Sequence, residues 1–274
     1  MTALNPRLMG VINVTPDSFS DGGRFLQVAD ALEQARQLVA DGASILDVGG
    51  ESTRPGAQRV PVIEEINRVV PVIHAVRGLG AAVSIDTMNA ETALAAVSAG
   101  ATIINDVSGG LADPEILKVA ASTRATFVIG HWRGHSQQMD GLTGYDDVAL
   151  DVTAELGQRV EAALATGVDR DQIVLDPGLG FAKESPQNWA LLSNLGALES
   201  LGYPLLIGAS RKRFIAAALD STGHPNPDND RRDLATATLS ALLLRPSIWG
   251  FRVHNVAASR DALAIANALR VAGE

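Results

Sequence analysis

The chain has 274 residues with 46% hydrophobic content, enough for one large core or two small ones, and carries a formal net charge of −9. That acidic balance argues against nucleic acid or an anionic membrane as the main partner, because both need a basic face. Cysteine is absent, which excludes disulfides and thiolate chemistry; neither a signal core at the start nor a membrane-length apolar run is present, so a cytoplasmic protein is expected.

Residues 8–14 form an apolar run of strand length. Pro16, Ser18, Ser20, Gly22 and Gly23 then turn the chain out of the sheet and leave Asp17 and Asp21 in a loop. The same grammar repeats along the chain. Run 45–50 leads into Glu51, Ser52, Thr53 and Arg54; run 82–85 into Asp86; run 102–104 into Asn105 and Asp106; run 126–130 into His131. Run 173–175 leads into Asp176, run 205–208 into Ser210, Arg211 and Lys212, and run 250–253 carries Arg252 and leads into His254.

Between these runs lie segments with helical spacing, at 31–40, 62–76, 90–98, 114–121 and 146–166, then from Ser185-Pro186, and at 213–219, 231–244 and 258–270. Pro71 lies inside the second and is expected to kink or divide it. Strand and helix thus alternate around short connections with no composition shift to mark a linker. The economical architecture is a single-domain α/β fold spanning 1–274, a (β/α)8 TIM barrel with right-handed crossovers. In such barrels the chemistry sits at the C-terminal ends of the strands, where the polar residues of this chain fall.

Arg252 and His254 are two apart on a strand and share a face, so they form a cationic clamp for an anion, beside Ser210, Arg211 and Lys212. A competing role for Arg252 is pairing with a buried carboxylate such as Asp47; the two roles are compatible, since the carboxylate would orient the arginine. Asp86, Asn105, Asp176 and Lys212 combine carboxylates, an amide and an ammonium, a set suited to the edge of a flat heterocycle. Together the two groups describe a heterocycle with an anionic tail.

At these residues the sequence resembles the dihydropteroate synthase family. The resemblance lies in GVINVTPDSFSDGG (10–23), DVGGESTRPGA (47–57), SIDT (84–87), NDVSGG (105–110), LDPGLGFAK (175–183), GASRKRF (208–214) and RVHNV (252–256). It implies a barrel, usually a homodimer, that joins 6-hydroxymethyl-7,8-dihydropterin diphosphate to 4-aminobenzoate with release of diphosphate. It also implies a pterin site at Asp86, Asn105, Asp176 and Lys212 and a diphosphate site at Thr53, Arg252 and His254. Magnesium is implied at Asn13, Asp21 as the residue that steadies the developing pterin cation, and Lys212, Arg252 and His254 as its catalytic companions. Phe19, Arg54, Pro55, Phe181, Lys183 and Arg213 are implied around 4-aminobenzoate. The alternatives are a catalytically silent pterin-binding paralogue that keeps the barrel, and a pterin-dependent methyltransferase domain, which would not need the aminobenzoate loops.

The chain departs from the family pattern at two places. Gly130 stands where many relatives carry Met, and the missing side chain is expected to leave space and weaken pterin binding. Arg213 stands where some relatives have a small hydroxylated residue, and is either a cation for the aminobenzoate carboxylate or a solvated helix residue. His131 and His135 have the spacing of a metal pair, but without a third ligand nearby a zinc site is not expected.

Overall fold

The computed structural model of the chain describes residues 3–14, 23–52, 59–135, 138–223 and 225–273, with backbone alone for 23–27 and 140. Eight parallel strands close in sequence order into a barrel: β1 (Arg7–Asn13), β2 (Ile45–Gly49), β3 (Ala82–Asp86), β4 (Ile103–Asp106), β5 (Thr126–Gly130), β6 (Ile173–Asp176), β7 (Leu205–Ile207) and β8 (Ile248–Val253). Helices α1 (Gly23–Ala40), α2 (Val62–Val76), α3 (Ala90–Ala99), α4 (Glu115–Thr123) and α5 (Val148–Ala165) follow the first five strands. The rest are α6 (Ser185–Ser193), α7 (Leu195–Glu199), α8 (Arg213–Asp220), α9 (Asn229–Leu242) and α10 (Val256–Ala272).

Two differences from the sequence reading have local causes. The first helix begins at Gly23, well before residue 31, because the turn formers end there and nothing after Gly23 interrupts a helix. Helix α2 is not divided at Pro71. Pro71 and Asn67, whose carbonyl loses its helical donor, both lie on the exposed side, where water can satisfy that carbonyl.

The core has two layers. Met9, Ile45, Ile103, Val128, Val174 and Leu206 fill the inside of the barrel, while alternate residues such as Phe127 and Ile129 pack outward against the helices. This period of two places the site. Asp47, Asn105 and Asp176 each lie two residues beyond an inward-facing residue, at Ile45, Ile103 and Val174, and so point into the barrel toward its C-terminal mouth. At the opposite end the Arg7 guanidinium lies over the Trp249 ring, 4.6 Å from its centroid.

Candidate active site

The mouth is organised around Arg252. Its Nε donates to Asp47 Oδ2 at 2.6 Å and its Nη2 to Asp86 Oδ2 at 2.7 Å. Asp47 is fully buried and also accepts from Asn105 Nδ2 at 3.2 Å, so one carboxylate aligns both the arginine and the amide. Burial works against the Arg252 charge, but Asp47 and Asp86 outweigh it and hold the guanidinium above its ordinary pKa. Burial pushes the Asp86 carboxyl up, Arg252 opposes the shift, and Asp47 and Glu65 reinforce it. The expected pairing of Arg252 with Asp47 is present, and Asp86 doubles it.

A second group faces this one. Asp176 accepts from the backbone N–H of Gly178 at 2.7 Å, and burial raises its pKa. Gly208 makes room for that carboxylate, since a Cβ there would lie 3.3 Å from Asp176 Oδ2. The Lys212 ammonium lies 3.9 Å from the centre of the Phe181 ring. Burial, with Arg252 nearby, lowers Lys212 to about 8, against the pull of Asp176 and Asp86. A pocket of this kind offers two carboxylates, an amide, an ammonium and an aromatic wall to one planar ligand.

His254 completes the rim. Its backbone N–H donates to Ser210 Oγ at 3.2 Å, and the same hydroxyl is 2.9 Å from His254 Nδ1. The turn that carries Ser210 and Lys212 is pinned by Arg211, which adopts a left-handed φ of 60°. Its Nε and Nη2 both donate at 2.7 Å to the nearly buried Asp233 of α9. A bidentate pair of this geometry can hold a non-glycine residue in a strained turn.

A family model described as "Pterin binding enzyme" matches residues 9–254. The chain is 47% identical over 268 residues to the dihydropteroate synthase of Mycobacterium leprae, covering 97% of this chain and 94% of that one. The chain belongs to the dihydropteroate synthases. A solved dihydropteroate synthase of Xanthomonas albilineans with 4-aminobenzoic acid superposes with a TM-score of 0.87 at 41% identity, over 97% of this chain and 93% of that one. The same enzyme in complex with 7,8-dihydropteroate gives a TM-score of 0.85 at 38% identity, over 98% and 95%.

Measured against the residues implied by resemblance to the dihydropteroate synthases, Asp86, Asn105, Asp176, Lys212, Arg252 and His254 come together at the mouth, with Phe181 against Lys212. Asn13 ends β1 half-buried, beside Gly49 of β2. Arg213 is exposed at the first position of α8, close enough to Lys212 to lower its pKa. Phe19, Asp21, Thr53, Arg54 and Pro55 lie outside the described residues.

Two expectations meet close packing. Lys183 is 7% exposed, and its ammonium is 2.8 Å from His131 Nδ1 while donating to the carbonyls of Gly178 and Phe181. Buried among those groups, it faces its own loop, and burial lowers it to about 7. Gly130 leaves no space either. A Cβ there would point into the mouth and meet the Val107 backbone, 2.5 Å from its oxygen and 2.6 Å from its Cα. The turn after β4 fills the place a side chain would take.

The structure also brings in residues that no sequence pattern singles out. Glu155, within α5, accepts from His131 Nε2 at 2.9 Å and from Arg133 Nε at 3.1 Å. Burial, followed by Lys183, lowers His131 to about 4, and the His131 hydrogen bond leads the effects that lower Glu155 to about 2. Helical periodicity gives Glu155 no mark of function, because a carboxylate on a helix face ordinarily faces water. His135 Nδ1 is 3.4 Å from Arg59 Nη1, whereas both ring nitrogens of His131 are engaged by Lys183 and Glu155. No group of three or more His, Asp or Glu suited to a metal occurs among the described residues.

Proposed function

We propose that the barrel mouth joins 6-hydroxymethyl-7,8-dihydropterin diphosphate to 4-aminobenzoate, giving 7,8-dihydropteroate and diphosphate, as a dihydropteroate synthase in folate biosynthesis. The observation that carries the reading is the convergence of Asp86, Asn105, Asp176 and Lys212 at one end of the barrel, beside Arg252 and His254. The pterin edge presents ring and amino nitrogens to the carboxylates of Asp86 and Asp176, and its acceptors to Asn105 and Lys212. A wrong heterocycle would leave one of those buried groups unpaired, which is a strong penalty.

Diphosphate binds toward Thr53, Arg252 and His254. Arg252 is charged at any working pH and is held in register by Asp47 and Asp86, so its remaining nitrogen is oriented before the ligand arrives. The bond between the pterin methylene carbon and the diphosphate oxygen breaks with its electron pair leaving on oxygen. The methylene becomes a cation conjugated with the ring. The barrier is dominated by that separation of charge, which Arg252 and His254 lower on the anionic side and Asp21 on the cationic side. The 4-aminobenzoate amine, seated among Phe19, Arg54, Pro55, Phe181 and Arg213, donates its lone pair to the methylene carbon and releases a proton. Positioning, rather than a strong base, carries this step.

Magnesium fits this donor set. Asn13 offers a neutral amide oxygen at a strand end, a suitable single protein ligand for a hard ion whose other ligands are phosphate oxygens and water. When bound, the ion neutralises charge on the diphosphate. Homodimerisation is supported by an apolar surface on α9 and α10, where Leu234, Leu242, Ile265 and Leu269 are 67%, 76%, 73% and 77% exposed. No helix among the described residues is long and apolar enough to cross a membrane, which is compatible with a cytoplasmic site of action.

The test is diphosphate release by the purified protein with pterin diphosphate and magnesium, with and without 4-aminobenzoate. The reading requires release that depends on aminobenzoate, with dihydropteroate formed in equal amount. Binding of pterin diphosphate without product would favour a silent pterin-binding paralogue instead.

A further inference from the structure

The loop after β6 is held from behind by a buried chain of charged groups. Lys183 is 2.8 Å from His131 Nδ1 and donates to Gly178 O at 3.0 Å and Phe181 O at 3.1 Å, so all three ammonium hydrogens have an acceptor. That arrangement requires His131 to accept at Nδ1 and therefore to carry its proton on Nε2, which donates to Glu155 Oε2 at 2.9 Å. Arg133 fixes Glu155 in turn through Nε and Nη2. The chain runs from α5 through the end of β5 to the loop.

The loop needs such a hold. Gly178, Gly180 and Ala182 all have left-handed φ values, of 65°, 75° and 47°. Gly178 passes so close to the His131 carbonyl that a Cβ would lie 2.1 Å from its oxygen, and Gly180 lies against the Lys212 stem, with a Cβ contact of 3.0 Å. The Phe181 ring sits beneath the Lys212 ammonium. An apolar side chain at 183 would avoid the desolvation of a buried charge but could not fix these carbonyls.

We infer that Lys183 is a positioning residue for dihydropteroate synthesis: by gripping the Gly178 and Phe181 carbonyls, it sets the Phe181 ring and the Lys212 ammonium against the two substrates. This rests on the function proposed above, and dihydropteroate formation by the unaltered protein tests that function separately. The Lys183→Met, Lys183→Arg and Glu155→Gln variants are compared for kcat, for KM toward each substrate and for Tm. Lys183→Met should raise KM for 4-aminobenzoate about tenfold, with kcat changed less than about threefold, as expected when roughly one charged hydrogen bond's worth of positioning is lost. Lys183→Arg, which keeps the donors, should recover most of the loss, and Glu155→Gln should give a smaller shift in the same direction. Unchanged KM values in Lys183→Met, whatever its Tm, would overturn the inference, as would a fall in kcat alone. If Lys183→Met does not fold, Glu155→Gln decides: a folded variant with unaltered KM overturns the inference, and a raised KM upholds it.

Discussion

Replacing Gly130 with alanine introduces a methyl group where the Val107 backbone already lies. The new Cβ would be 2.5 Å from Val107 O, 2.6 Å from its Cα and 2.7 Å from its carbonyl carbon. Ordinary contact begins at 3.4 Å, so the oxygen would have to retreat by 3.4 − 2.5 = 0.9 Å. The turn resists. The fully buried Asp106 accepts from Ser108 N at 2.8 Å, Ser108 Oγ at 2.7 Å and Gly110 N at 2.7 Å, and burial raises its own pKa to about 6. Overpacking costs about 1–3 kcal/mol, and weakening one hydrogen bond to a charged group about 1.5–3 kcal/mol. Lower entropy of the unfolded alanine chain offsets roughly 0.4–1 kcal/mol, leaving about 1.5–5.5 kcal/mol of destabilisation. At about 2–4 °C per kcal/mol, Tm should fall by roughly 3–20 °C in a calorimetric scan. Asn105 precedes the displaced turn, so pterin affinity measured by titration calorimetry should weaken as well. A Gly130→Ala protein with parental Tm and parental affinity would refute the reasoning, and a Gly130→Met protein that binds pterin more tightly would restore the idea of an open space.

Asp233→Asn should leave Arg211 without its carboxylate partner and destabilise the chain by about 3 kcal/mol, read by urea titration, with the turn carrying Ser210 and Lys212 loosened; a loss below about 1 kcal/mol would remove the staple from the account. Lys212, surrounded by Asp176, Asp86, Arg252 and Arg213, has a folded pKa of about 8, so it is charged below that pH, and pterin binding should decline as pH rises through it. A Lys212→Arg protein should hold its affinity there, and an identical decline would assign the titration elsewhere. His131 has a folded pKa of about 4 against an ordinary 6.5, so the unfolded chain takes up its proton first and stability should fall as pH drops from 6.5 toward 4. That decline in Tm should shrink in His131→Gln; if it persists unchanged, another group is responsible. Asp21→Asn should lower kcat far more than pterin diphosphate binding, because the charge matters once the cation develops, and an equal loss in both would place Asp21 in ground-state binding.

Much of the architecture is determined by the sequence, because its signals are local. Apolar runs such as 45–50, 82–85 and 102–104, each leading into polar residues, report strands that end at a mouth, and helical spacing over 62–76 and 90–98 reports helices found at Val62–Val76 and Ala90–Ala99. The period of two then sends Asp47, Asn105 and Asp176 into the barrel, and the motif order carries the family. The pairing of these side chains is not local. Arg252 meets Asp47 across 205 residues and Asp86 across 166 only because β8 closes on β1 and the staggered register brings those strand ends level. Resemblance puts Lys183 beside 4-aminobenzoate, but three left-handed residues, Gly178, Gly180 and Ala182, fold the loop so that its ammonium meets His131, and Gly130 reads as a gap until the turn after β4 is seen to occupy it. Chain order and hydrophobic period fix which residues reach the mouth; barrel closure and loop packing decide which of them face the ligand and which hold the others in place.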